Sequence, residues 1–123
     1  MSLRRLFAGL LLLLLGSTAL FFLNGAMFSA WMSGGPPNPY PEGWALRSQA
    51  QLVWALASAA AGVVAFFMVL RHPSIRRWQV LVLVAAVVLA VLPFVTREVL
   101  IDQCLDDGGR WNHQGLQCER QTR

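Results

Sequence analysis

Three long apolar stretches, separated by short polar ones, set the hydropathy pattern of the chain. They run from Leu6 to Leu23, from Leu52 to Leu70 and from Trp78 to Thr96, 18 or 19 residues each, and none contains an Asp, Glu, Lys, Arg or His. A helix rises ~1.5 Å per residue, so each stretch matches the ~30 Å hydrocarbon core of a bilayer. Burying three uncharged helices of that length in water would take far more surrounding protein than 123 residues supply. The pattern therefore predicts an all-α membrane protein with three transmembrane helices, forming a single integral domain over residues 1–123. A connection at 24–51 and a tail at 97–123 complete the chain.

Composition agrees. Apolar residues make up 56% of the chain and charged ones only 13%, about half the share usual in soluble domains. The formal net charge of +4 comes from ten arginines with no lysine. These arginines flank the apolar stretches and form no aromatic-interleaved patch, so nucleic acid is not an expected partner. A basic set made only of Arg, with abundant Ala and Val, points to a bacterial gene, and the expected location is the bacterial inner (plasma) membrane.

The arginines also predict orientation. Arg4 and Arg5 precede the first stretch, and Arg71, Arg76 and Arg77 lie between the second and third. Positive residues concentrate on the cytoplasmic side, which puts the N-terminus and the second connection inside. The first connection and the C-terminal tail then lie outside, with the tail periplasmic or extracellular. Arg4-Arg5 followed by leucines also resembles a secretory signal, with Ser17-Thr18-Ala19 as a cleavage site. The apolar run continues past it to Leu23, beyond the 7–15 residues of a cleaved signal core, and favours an uncleaved anchor.

Cys104 and Cys118 both fall in the tail, in the compartment where disulfides persist. Their pairing would close a loop worth roughly 3 kcal/mol in the chain-entropy model. Gly108-Gly109 marks the expected end of the third helix, and the rest of the tail is expected to fold back as a small disulfide-closed cap on the outer membrane surface. In the first connection, Ser33 to Pro41 holds four prolines and two glycines, a composition for a stiff turn. Pro41 and Glu42 suit a helix start, and the first helix is expected to run on to about Trp31. Trp31, Tyr40 and Trp44 would form an aromatic belt at the outer headgroups, with Trp78 at the inner ones.

The second stretch carries Ala55, Ser58, Ala59 and Gly62 at small-xxx-small spacing, and the third adds Ala86 and Ala90. Such faces let helices approach closely in lipid. Packing of the three helices on one another accounts for them before any partner interface. Pro93 should kink the third helix.

Candidate chemistry is sparse. His72 and His113 fall on opposite sides of the predicted membrane, with His72 in the inside-facing positive cluster. The tail's Cys and His lack zinc-ligand spacing, and its carboxylates sit on a short surface segment. No nucleotide-binding, metalloprotease or hydrolase motif is present. The expectation is a non-enzymatic protein without metal or cofactor, and no small-molecule substrate is inferred. Its partners would be the bilayer and a membrane protein or further copies of itself. Its role would be that of an accessory or assembly subunit acting through helix packing. The alternatives are an envelope binding or immunity-type protein using the external loop and tail, and a small homo-oligomeric transporter or channel.

Overall fold

The computed structural model describes residues 2–71, 74 and 76–120. Three helices make up most of it: α1 (Leu3–Gly34), α2 (Pro41–Arg71) and α3 (Arg77–Asp106). Each is long and apolar enough to cross a membrane. A short antiparallel hairpin follows, β1 (Arg110–Asn112) paired with β2 (Gln117–Glu119), with Trp111 opposite Cys118. His72, assigned above to a positive cluster, lies outside the described residues.

All three helices outrun their apolar stretches. At 32 residues α1 is about 48 Å long, well beyond the hydrocarbon thickness. It continues past Trp31 because residues 24–34 hold no proline and remain largely apolar. The connection is then short. Gly35 N–H closes on the Trp31 carbonyl (2.9 Å), and Asn38 ties the turn together. The Asn38 amide donates to the carbonyls of Met32 (2.7 Å) and Pro36 (3.2 Å), and its oxygen accepts from Tyr40 N–H (2.9 Å). Pro41 opens α2, where a missing N–H costs nothing.

α1 and α2 form an antiparallel pair along nearly their whole length, whereas α3 packs on α2. The α1–α2 seam is built from small residues, with Ala8, Ala19, Ala26 and Ser29 buried on α1 and Ala55 and Gly62 on α2; Ala57 and Val64 are also buried on α2. Most bulky residues face outward, among them Leu10, Leu13, Leu14, Leu20 and Phe21 on α1. That inversion of the soluble pattern is what lipid, itself apolar, permits.

The two ends of the bundle differ in charge. One end gathers Arg4 and Arg5 at the start of α1, Arg71 at the end of α2, and Arg76 and Arg77 at the start of α3. Arg71 covers the Phe67 ring at 5.7 Å, and Arg76 N–H donates to the side chain of Gln79 (3.1 Å), which is 1% exposed. The other end carries the α1–α2 connection, the hairpin and every acidic residue, from Glu42 to Glu119.

Candidate functional site

The predicted packing residues divide between the inside of the bundle and its surface. Ala55 and Gly62 are buried in the α1–α2 seam, and Ala86 is buried on α3. A Cβ added at Gly62 would stand 3.1 Å from Leu15 Cβ, so the α1 backbone comes close there because Gly62 has no side chain. Ser58 and Ala90 are partly covered, and Ala59 is exposed. The small-residue face of α2 is thus largely used within the chain.

Two polar contacts reinforce the same seam. Ser29 Oγ, in a residue 2% exposed, donates to Gln51 Oε1 at 2.9 Å. Ser48 Oγ donates to the Ala26 carbonyl at 2.9 Å. Gln51 lies one residue before the second apolar stretch and reads in the sequence as a boundary residue, although its side chain turns inward beside Gly25.

Ala59 belongs to a groove on the side of α2 away from α3. Its floor is Gly16, Ser17 and Ala19 from α1 with Ala55 and Ala59 from α2, and leucines including Leu12, Leu20, Leu52 and Leu56 form its rims. The groove has a volume of about 510 Å³, and no α3 residue lines it. A Cβ at Gly16 would meet nothing within 4 Å, so the floor there is open.

At the acidic end, α3 stops at Asp106, and Gly108 takes a left-handed φ of 78° as Gly109 N–H returns to the Cys104 carbonyl (2.9 Å). The Cys104–Cys118 disulfide then holds β2 against the end of α3. The resulting cap docks on the first turns of α2. Gly43 and Gly115 approach so closely that a Cβ on Gly43 would collide with the Gly115 carbonyl, and a Cβ on Gly115 would strike the Tyr40 ring. Arg47 Nη2 donates to the Gln114 carbonyl (2.8 Å) while its guanidinium lies 5.0 Å above the Trp44 ring. Asn112 organises the hairpin turn, accepting from Gln114 and Gly115 N–H and donating to Glu119 (2.7 Å) and Tyr40 Oη (3.3 Å). Tyr40 is therefore a docking residue for the cap, whereas Trp31 stays exposed.

Between α2 and α3 lies a second groove, of about 400 Å³. Its deep part is apolar, with Val53, Trp54, Leu92, Pro93 and Phe94. Pro93 has no N–H to give the helix, and one residue beyond the carbonyl it leaves short, the Ala90 carbonyl accepts from Trp54 Nε1 (2.9 Å). The Trp54 ring sits between Phe22 and Phe94, 5.4 Å from each. The mouth of the groove is polar and basic, with Arg47, Arg97, His113 and Thr96, and Leu116 at its edge in a left-handed conformation (φ 50°). Sequence spacing alone does not bring Arg47, Arg97 and His113 together; the docking of the cap does. Among the described residues no three His, Cys, Asp or Glu converge as metal ligands.

Comparison with known protein families, with curated proteins and with solved structures gave no match to this chain.

Proposed function

We propose that the chain is a non-enzymatic, multi-pass protein of the bacterial inner membrane, serving as an accessory or assembly subunit of a larger membrane complex. In this reading the arginine end is cytoplasmic, and the cap and proline-stiffened turn face the periplasm or exterior, as the distribution of Arg4, Arg5, Arg71, Arg76 and Arg77 favours. The observation that carries the reading is the leucine-rimmed α1–α2 groove. A floor of Gly, Ser and Ala admits the ridge of another helix, and lipid chains fill such a concavity poorly compared with a packed side-chain ridge. The seam beside it already satisfies the chain's own helices, so the groove is surplus to internal packing.

A photo-crosslinking residue at Leu56 on the rim of the groove or at Ala59 on its floor tests this in cells, with Val88 on the exposed face of α3 as the comparison. The groove positions should give a discrete protein adduct that Val88 does not. Gly16→Leu, whose Cβ meets nothing within 4 Å and whose side chain would occupy the floor, should abolish the adduct while leaving insertion unchanged. Adducts to lipid alone from both groove positions would overturn the proposal, and an adduct of twice the chain's mass would replace the complex with a homo-oligomer.

The second reading is an envelope binding protein. It is favoured by the cap itself, where the disulfide, the Gly43–Gly115 contact and the Arg47–Gln114 bond hold a small surface in one conformation. Rigid loops of this kind lose little entropy on binding.

A further inference from the structure

We propose that the groove between α2 and α3 binds an anionic phospholipid, with the headgroup phosphate at Arg47 and Arg97 and an acyl chain along Trp54, Leu92 and Phe94. The inference rests on the helices crossing a bilayer and is independent of any protein partner.

The charge pattern of the groove selects the ligand. Its mouth holds two guanidinium groups and His113, and none of its lining residues is acidic. Among the described residues neither Arg47 nor Arg97 has a carboxylate within 4.0 Å. Each guanidinium has donors to spare. Arg47 spends Nη2 on the Gln114 carbonyl, and Arg97 has only a long contact to His113 Nδ1 (3.4 Å). An Arg carries five N–H donors in a planar fork suited to phosphate oxygens. A water-soluble anion would use the mouth alone and leave the deeper apolar wall bare. A fatty acyl chain covers that wall.

Position along the helices agrees. Arg97 follows directly on the third apolar stretch, and Arg47 precedes the second by one turn, which places both where headgroups begin. Trp54, Leu92 and Pro93 lie a turn or more deeper. The groove stays open because α2 and α3 are braced at two levels, by the Trp54–Ala90 hydrogen bond below and by the docked cap above. Pro93, inside α3, has no N–H to give the turn between them. The groove is thus built in the protein and does not depend on the lipid to form.

The test uses the full chain in phosphatidylcholine vesicles doped with phosphatidylglycerol brominated on its acyl chains, with brominated phosphatidylcholine as the matched control. Bromine quenches nearby indoles, and the contribution of Trp54 is the difference between the wild type and Trp54→Phe. That contribution should be quenched more by phosphatidylglycerol than by phosphatidylcholine. Arg97→Gln should reduce the preference about fivefold, the factor expected for one arginine at an anionic headgroup layer, and Arg97→Lys should keep most of it. Ala50→Phe, which fills the groove and leaves both arginines in place, should remove the quenching of Trp54 by either lipid. Equal quenching by the two lipids overturns the proposal. So does a preference that survives both Arg97→Gln and Ala50→Phe. Loss of quenching on adding inorganic phosphate alone would assign the mouth to a free anion and overturn the lipid.

Discussion

Replacing Gly43 with Ala should release the cap from α2 without disturbing the three helices. The added Cβ would collide with the Gly115 carbonyl, a backbone atom that cannot rotate away as a side-chain tip could. The hairpin must therefore withdraw, and two hydrogen bonds go with it. The bond from Arg47 to the Gln114 carbonyl (2.8 Å) has a charged donor and is the larger loss; the one from Asn112 to Tyr40 Oη is long at 3.3 Å. A charge-assisted bond contributes about 1.5–3 kcal/mol net and a weak neutral one a few tenths, so docking should weaken by about 2–3 kcal/mol. That is a factor of roughly 30–150 in the ratio of docked to undocked cap.

Tyr40 reports the change directly. It is the chain's single tyrosine, and its Cε1, one of the two ring carbons that nitration attacks, faces Gly115. Nitration by tetranitromethane, followed as nitrotyrosine absorbance in detergent micelles, should be slow in the wild type and approach the unfolded-chain rate in Gly43→Ala. Because the described cysteines are paired, thiol oxidation does not interfere. Gly34→Ala, whose Cβ would meet nothing within 4 Å, is the matched control and should behave as wild type. Equal nitration rates in Gly43→Ala and wild type would refute the idea that the missing Cβ holds the cap in place.

Three further outcomes follow from the same contacts. Cys104→Ser removes the cross-link between the end of α3 and β2 and should cost the tail about 3 kcal/mol; protease should then cut the tail after Arg110 while the helices stay inserted, and a tail that remains resistant would show the hairpin to be self-sufficient. Gly62→Leu forces bulk against Leu15 Cβ and should destabilise the α1–α2 pair by about 1–3 kcal/mol, read as an earlier thermal transition in detergent; an unchanged transition would mean that α1 can slide aside freely. Trp111 Nε1 is buried without a hydrogen-bond partner, so Trp111→Phe should leave the cap as stable or up to about 1 kcal/mol more stable, measured by denaturant-dependent protease resistance; clear destabilisation would show that indole area outweighs the unpaired N–H.

How far the sequence reveals this architecture depends on the range of each interaction. The three helices were legible because lipid imposes one rule on every residue of a span, and long uncharged runs satisfy it visibly. The disulfide was legible because two cysteines share one short tail. The docking of the cap was not. Gly43 and Gly115 act through what they lack, and a glycine in a sequence gives no sign that a backbone 72 positions away needs its space. Arg47 has the same ambiguity: in the sequence it is the single arginine between the first and second apolar stretches, whereas its helix carries it to the Gln114 carbonyl and to the mouth of a groove shared with Arg97. Gln51 looked like a boundary residue and proves to be a partner of Ser29 inside the seam. Even the small-residue stripe of α2 carried two meanings at once. Gly62 and the buried side of Ala55 close the bundle, while Ala59 floors a groove that the bundle leaves open. Periodicity marks such residues as suited to close contact but cannot say with what. In this protein the answer differs from one turn of the helix to the next, and that division between internal packing and open groove makes an outside helix a testable occupant.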